Sequence, residues 1–91
     1  MDLDSLRCFD AAATTLNFRA GAGRVHLSPA AFTDRIQRLE DDLEVELFVR
    51  TTRRVALSEF GQRLLPIARE VLAGAERLRA ASRGPVASTT R

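Results

Sequence analysis

FRAGAGRVHLSPAAFTDRIQRLEDDL, residues 18–43, contains two helical patterns separated by a few residues, and its central junction decides how the chain is read. In Leu27-Ser28-Pro29, Ser28 is a good N-cap and Pro29 suits a first helical position, where its missing N–H has no intrahelical partner. A helix therefore starts at Pro29. Phe32, Ile36, Leu39 and Leu43 then follow at i, i+4, i+7 and i+11, within a narrow arc of one face. Ala30, Thr33, Asp34 and Gln37 fall to the side or opposite. Upstream, Asn17 is placed to cap a short helix running through Val25, in which Ala20, Gly21 and Ala22 leave room for another helix to approach. His26 stands at the turn position where a residue tolerant of positive φ is expected.

Working outward, Leu3, Leu6, Phe9, Ala13 and Leu16 recur at steps of three or four behind Asp2, which predicts a first helix over about 3 to 16. After Glu46 the period shortens. Leu47-Phe48-Val49 and Val55-Ala56-Leu57 read as two strands around Arg50-Thr51-Thr52-Arg53-Arg54, a hairpin with a basic tip and no glycine to mark its turn. Ser58 then caps a long helix to about Arg83, with Leu64, Ala68, Val71, Ala75 and Leu78 on one stripe and Leu65 and Leu72 beside it. Pro66 removes one backbone hydrogen bond inside that helix, so a bend or a local break is expected, and Gly84-Pro85 ends it. The predicted fold is mainly α: a winged helix-turn-helix over 1–58, a linker helix over 59–83 and a flexible tail over 84–91.

Composition bounds the function. Ninety-one residues make one small domain, too small for a large catalytic cleft. Trp and Tyr are absent, so Leu, Val, Ile, Ala and five Phe must build the core. The 14 basic and 12 acidic residues leave a net charge of +2, so any nucleic-acid footprint must come from how charge is distributed. A lone Cys8 excludes an intramolecular disulfide and paired-thiolate metal sites. The acidic start Met1-Asp2-Leu3-Asp4 lacks the pattern of a signal peptide, and no apolar run approaches the roughly 20 residues of a membrane helix. A cytoplasmic location without membrane contact is expected.

A helix-turn-helix needs a small residue at the crossing, a tight turn, and apolar anchors that present the outer face of its second helix to the major groove. Ala22, Val25 to Leu27, Phe32 and Ile36 meet these demands. The first turn of the second helix offers free N–H groups to phosphate, with Ser28 and Asn17 adding side-chain donors. Ala30, Thr33 and Gln37 suit base edges and the thymine methyl, while Arg50, Arg53 and Arg54 suit phosphate or a narrow minor groove. Glu40, Asp41, Asp42, Glu44 and Glu46 read as a solvated acidic end held away from DNA, since nothing there fixes an oxygen cage for a metal. His26 reads as a turn residue and Cys8 as a bystander. No catalytic, metal or cofactor site is expected.

The pattern resembles the N-terminal winged helix-turn-helix of LysR-type transcriptional regulators. The matching stretches are Met1-Asp2-Leu3 with Leu6-Arg7 and Phe9, Asn17-Phe18, Arg24 to Ser28, Ile36 to Glu40, Leu47-Phe48 with Arg50-Thr51, Val55 with Leu57-Ser58, and Gly61. The resemblance extends to about Arg83 and implies a homodimer formed through the long helix, with assembly beyond a dimer left open. It also implies an AT-rich, interrupted palindrome as target, bases approached from positions 29, 30, 33 and 34, and Arg53 as the minor-groove residue of the wing. Thr33 and Arg53 match the family; Pro29-Ala30 stands where Gln-Pro is usual, and Asp34 where Arg is common, so Arg35 is a candidate replacement for the missing charge. Gly21 and Gly23 replace better helix formers, each at a cost of ~1 kcal/mol. Glu44 replaces the usual Gly after the third helix, where positive φ is expected. The effector-binding domain of the family is not seen, so no response to an inducer is expected.

Sequence-specific binding of double-stranded DNA is thus the leading function. The alternative is an interaction module whose long helix pairs with full-length relatives and modulates them.

Overall fold

In the computed structural model, residues 1–84 are described, and the predicted tail beyond Gly84 lies outside them. Four helices and one hairpin follow in order: α1 (Leu3–Thr15), α2 (Phe18–Arg24), α3 (Pro29–Leu43), β1 (Phe48–Arg50), β2 (Val55–Leu57) and α4 (Glu59–Arg83). This is the winged helix-turn-helix with a long trailing helix that the sequence predicts.

Each helix start is written in side-chain chemistry. The Ser5 N–H donates to Asp2 Oδ1 at 2.8 Å, Ala20 N–H to Asn17 Oδ1 at 2.9 Å, Ala31 N–H to Ser28 Oγ at 3.2 Å and Gly61 N–H to Ser58 Oγ at 2.9 Å. Every helix therefore has one of its free N-terminal donors satisfied by its own cap. Two helix exits and the turn between α2 and α3 use left-handed backbone at non-glycine residues: Leu16 (φ 50°), Glu44 (φ 59°) and His26 (φ 60°). His26 and Glu44 adopt the positive φ expected of them. Gly84 instead leaves α4 in extended backbone, with φ −79° and ψ 166°. Helix α4 is continuous through Pro66, so no break occurs there.

The hairpin is antiparallel, with Phe48 opposite Leu57, Val49 opposite Ala56 and Arg50 opposite Val55. Its turn needs no glycine because Thr51 supplies the closure. The Thr51 N–H donates to the Arg54 carbonyl at 2.9 Å, and the Thr51 hydroxyl accepts from Arg53 N–H at 3.3 Å and Arg54 N–H at 3.1 Å. No residue of the tip adopts positive φ.

The core gathers α1, α2, α3, the approach to β1 and the first half of α4, and Phe9, Phe32, Ile36, Leu39 and Leu47 are fully buried in it. Aromatic edges tie these elements together. Phe48 on β1 meets Phe9 of α1 at 5.8 Å and Phe18 of α2 at 5.5 Å, and Phe18 meets Phe32 of α3 at 5.6 Å, all near perpendicular. Such contacts add about 0.5–1.5 kcal/mol each beyond burial. Gly21 lets α2 reach α3, since a Cβ there would lie 2.8 Å from the Phe32 ring. Helix α4 contributes Leu65 and Ala68 to the core, and Arg69 Nε donates to Asp10 Oδ1 on α1 at 2.7 Å. Its second half projects away. The molecule consequently measures 58 × 25 × 19 Å, and its radius of gyration of 15.8 Å exceeds the roughly 12 Å of a compact chain this long.

Candidate nucleic-acid interface

Anchoring by Phe32, Ile36 and Leu39, none more than 1% exposed, turns the opposite face of α3 to solvent. Pro29, Ala30, Asp34 and Gln37 are exposed there, and Thr33 stands half-buried at the margin. The Ser28 and Asn17 side-chain oxygens are occupied as caps. Asp34 is not left as a bare negative charge, because Arg38 one turn later places Nε 3.0 Å from its Oδ2. Arg38 had not been marked from the sequence, although the i, i+4 spacing to Asp34 signals the pair.

Arg35 leans toward α1. Its guanidinium lies 3.9 Å from Asp2 and 3.8 Å from Asp4, at the N-terminus of α1, and its side chain is 34% exposed. The reason is helical phase: Arg35 comes one residue before Ile36 and three after Phe32, which puts it at the border of the buried arc.

The three arginines assigned to the wing separate into two kinds. Arg53 and Arg54 are exposed in the tip and form no ion pair among the described residues. Arg50 is the last residue of β1, opposite Val55 at the base of the tip. Its guanidinium donates to Glu40 Oε1 at 2.9 Å and lies over the Phe18 ring, 4.8 Å from the centroid.

Glu40 corrects the picture of a uniformly solvated acidic end. It is 9% exposed, and its Oε2 accepts from the Leu47 N–H at 2.8 Å and the Phe48 N–H at 3.3 Å. Asp41, Asp42, Glu44 and Glu46 do remain exposed, and Asp42 faces the N-terminal ammonium at 3.1 Å.

Along α4 the expected partner stripe divides. Ala68 is 6% exposed, packed against the chain's own core, and reaches the surface only at the floor of an apolar hollow that it lines with Leu64, Ile67 and Val71. Leu64 and Leu72 lie half-buried against that core, Ala75 is half-buried, and Val71 and Leu78 are 45% and 73% exposed. Phe60 and Ile67, not marked from the sequence, are 44% and 53% exposed. Phe60, Leu64, Ile67, Val71, Gly74 and Leu78 are spaced 4-3-4-3-4, a heptad seam rotated by about one residue from the core-facing row Leu65, Ala68 and Leu72.

The family model for bacterial regulatory helix-turn-helix proteins of the lysR family matches residues 3–62. The chain belongs to the LysR family. Among its relatives are the uncharacterized HTH-type transcriptional regulator YbhD of Escherichia coli, 42% identical over 71 residues, and the HTH-type transcriptional activator IlvY of Salmonella typhimurium, 40% identical over 79. These alignments cover 78% and 87% of this chain but 22% and 27% of those proteins, so the chain spans about a quarter of the length of the LysR relatives it matches. The solved complex of the CbnR DNA-binding domain with DNA superposes with a TM-score of 0.79 at 37% identity, over 91% of this chain and all of that one. Full-length CbnR complexed with its target DNA superposes at 0.85 over 91% of this chain and 29% of that one. The matched residues include α1 to β2 and the start of α4 with Gly61, so α3 and the hairpin are the second helix and the wing of a LysR helix-turn-helix domain. Among the described residues, no helix is long and apolar enough to cross a membrane.

Proposed function

We propose that this LysR domain binds double-stranded DNA sequence-specifically as a homodimer and serves as the DNA-binding part of a bacterial transcriptional regulator acting in the cytoplasm. One observation carries the reading. The exposed start of α3 and the unpaired Arg53 and Arg54 of the wing are two separate reading surfaces, held on one rigid aromatic core. Pro29, Ala30, Thr33 and Gln37 address base edges in the major groove, with apolar contact at Ala30 and hydrogen bonds from Thr33 and Gln37. Asp34, tied to Arg38, accepts from cytosine N4 at less electrostatic cost than a bare carboxylate. The backbone N–H groups behind Ser28 and Asn17 lie against phosphate. Arg53 enters the minor groove, and a narrow AT-rich groove attracts it most strongly.

The seam Phe60, Leu64, Ile67, Val71 and Leu78 takes the second subunit. It continues into an apolar hollow of about 130 Å³ lined by Met1, Leu43, Leu64, Ile67 and Val71, which a partner side chain fills. Two domains related by a two-fold axis then read two half-sites of an interrupted palindrome.

Selection from a random duplex pool tests the reading. Enrichment of a two-fold symmetric site, lost in Arg53→Ala and altered in base preference by Thr33→Ala, supports it. A pool that emerges unenriched overturns it.

A further inference from the structure

The geometry points to Glu40 and Arg50 as positioning residues that hold the wing at a fixed offset from the recognition helix α3, with the Arg50 guanidinium, its side chain still 34% exposed, committed to contacts within the protein rather than to phosphate. The inference rests on the DNA-binding reading above and concerns how its two reading surfaces are kept in register.

Arg50 has the charge and the hairpin location of a phosphate contact, but its guanidinium is already engaged on two sides, by Glu40 Oε1 at 2.9 Å and by the Phe18 ring at 4.8 Å. The Glu40 side chain is 10% exposed, and its second oxygen gathers the N–H groups of Leu47 and Phe48 at 2.8 and 3.3 Å. A single carboxylate on α3 thus receives three donors from β1 and the residue leading into it. Phe18, beneath the guanidinium, belongs to α2 and packs edge-on against Phe32 and Phe48. Three elements therefore converge on one ion pair. The planar guanidinium bonds the carboxylate and lies over the ring at once, a geometry that the compact ammonium of Lys on its flexible stem does not reproduce.

The pair sits between the parts it would align. Gln37, one turn before Glu40 on the exposed face of α3, lines the same groove of about 280 Å³ as Glu40, Glu46, Phe48 and Arg50. Arg53 follows Arg50 by three residues. Loosening the pair lets the wing tip drift relative to Thr33 and Gln37, so the two grooves can no longer be engaged at once. Attraction to phosphate in general survives, because Arg53 and Arg54 are untouched.

The test compares the whole chain with its Arg50→Met, Arg50→Lys and Glu40→Gln variants. Thermal melting establishes folding, hydrogen exchange follows the wing amides, and titrations at several salt concentrations use a site selected by the unaltered chain and a scrambled duplex. In Arg50→Met the wing amides exchange several-fold faster, affinity for the selected site falls roughly tenfold, affinity for the scrambled duplex barely changes, and the salt slope is preserved. Arg50→Lys behaves like Arg50→Met although its charge is kept. A salt slope reduced by about 0.9, with Arg50→Lys binding as the unaltered chain does, makes Arg50 a phosphate ligand and overturns the inference. Glu40→Gln adds a separate contrast: selectivity falls if the pair positions the wing, whereas tighter binding with selectivity intact also overturns it. Should Arg50→Met or Glu40→Gln fail to fold, Arg50→Lys carries the comparison. If the unaltered chain selects no duplex, the DNA-binding reading fails by itself, and unchanged wing exchange in Arg50→Lys rejects the tether independently.

Discussion

The carbonyl oxygen of Leu47 occupies the space that a side chain at Gly61 would need. A Cβ built there overlaps that oxygen and lies 2.8 Å from Leu57 Cδ2. The carbonyl cannot easily retreat, since it accepts from the Ser58 N–H at 2.9 Å, and the Ser58 hydroxyl donates to the Glu46 carbonyl. Gly61→Ala therefore separates α4 from the entrance to the wing, at a cost of about 3 kcal/mol or more. Urea denaturation followed by circular dichroism checks this, and an unchanged midpoint would show that the first turn of α4 shifts freely.

The two glycines of α2 should respond in opposite directions. At Gly23 a Cβ meets nothing within 4 Å, so Gly23→Ala gains helix propensity and stabilises by up to ~1 kcal/mol. At Gly21 the new methyl falls 2.8 Å from Phe32 Cζ, on a ring that is 0% exposed and held edge-on by Phe18. Overpacking there costs about 1–3 kcal/mol, which outweighs the propensity gain. Paired denaturation midpoints on either side of the parent check the contrast.

Asp2 links stability to acid. Its carboxyl is held below the ordinary value of 3.8, first by the Ser5 N–H bond and then by the Ser5 side chain. A folded value below the unfolded one adds stability that is present above pH 3.8 and is lost as pH falls through the folded value. Asn caps without ionising. Asp2→Asn should therefore melt below the parent at neutral pH and converge with it in acid. A gap that stays constant across the titration would rule out this linkage.

Cys8 should be chemically silent in the native state. It is 1% exposed, and burial pushes its thiol above the ordinary value, with Arg35 pulling weakly the other way. A thiol reagent such as a disulfide chromophore should react only as fast as the chain opens, and rapid stoichiometric labelling of folded protein would contradict the burial.

Local chemistry was legible in the sequence, whereas tertiary partnership was not. Asp2, Asn17, Ser28-Pro29 and Ser58 announce helix starts because each cap satisfies a donor three residues away in the same chain. His26 and Glu44 could be assigned positive φ for the same local reason. Glu40 was hidden inside an acidic run, although its position four residues after Ile36 puts it at the edge of the buried arc; its donors come from residues 47, 48 and 50. Arg50 and Arg53 look alike in sequence and are separated by tertiary partners, a carboxylate and an aromatic ring that meet Arg50. The α4 stripe failed for a related reason: two apolar rows one residue apart coexist, and periodicity does not say which one the chain itself covers.

That division of α4 makes the proposed dimer testable one residue at a time. Ile67 is 53% exposed beside the hollow lined by Met1, Leu64 and Val71, so a charge there meets solvent in a monomer and an apolar partner in a dimer. Ile67→Glu should leave the helical spectrum and the intrachain core intact while shifting sedimentation from dimer to monomer. Burying an unpaired charge in such a seam costs several kcal/mol, enough to dissociate a micromolar dimer completely. Glu76→Gln, at an exposed position outside the heptad seam, should leave the assembly unchanged. If Ile67→Glu still sediments as the parent does, the second subunit binds elsewhere, and the exposed row Phe60, Ile67, Val71 and Leu78 needs a different occupant.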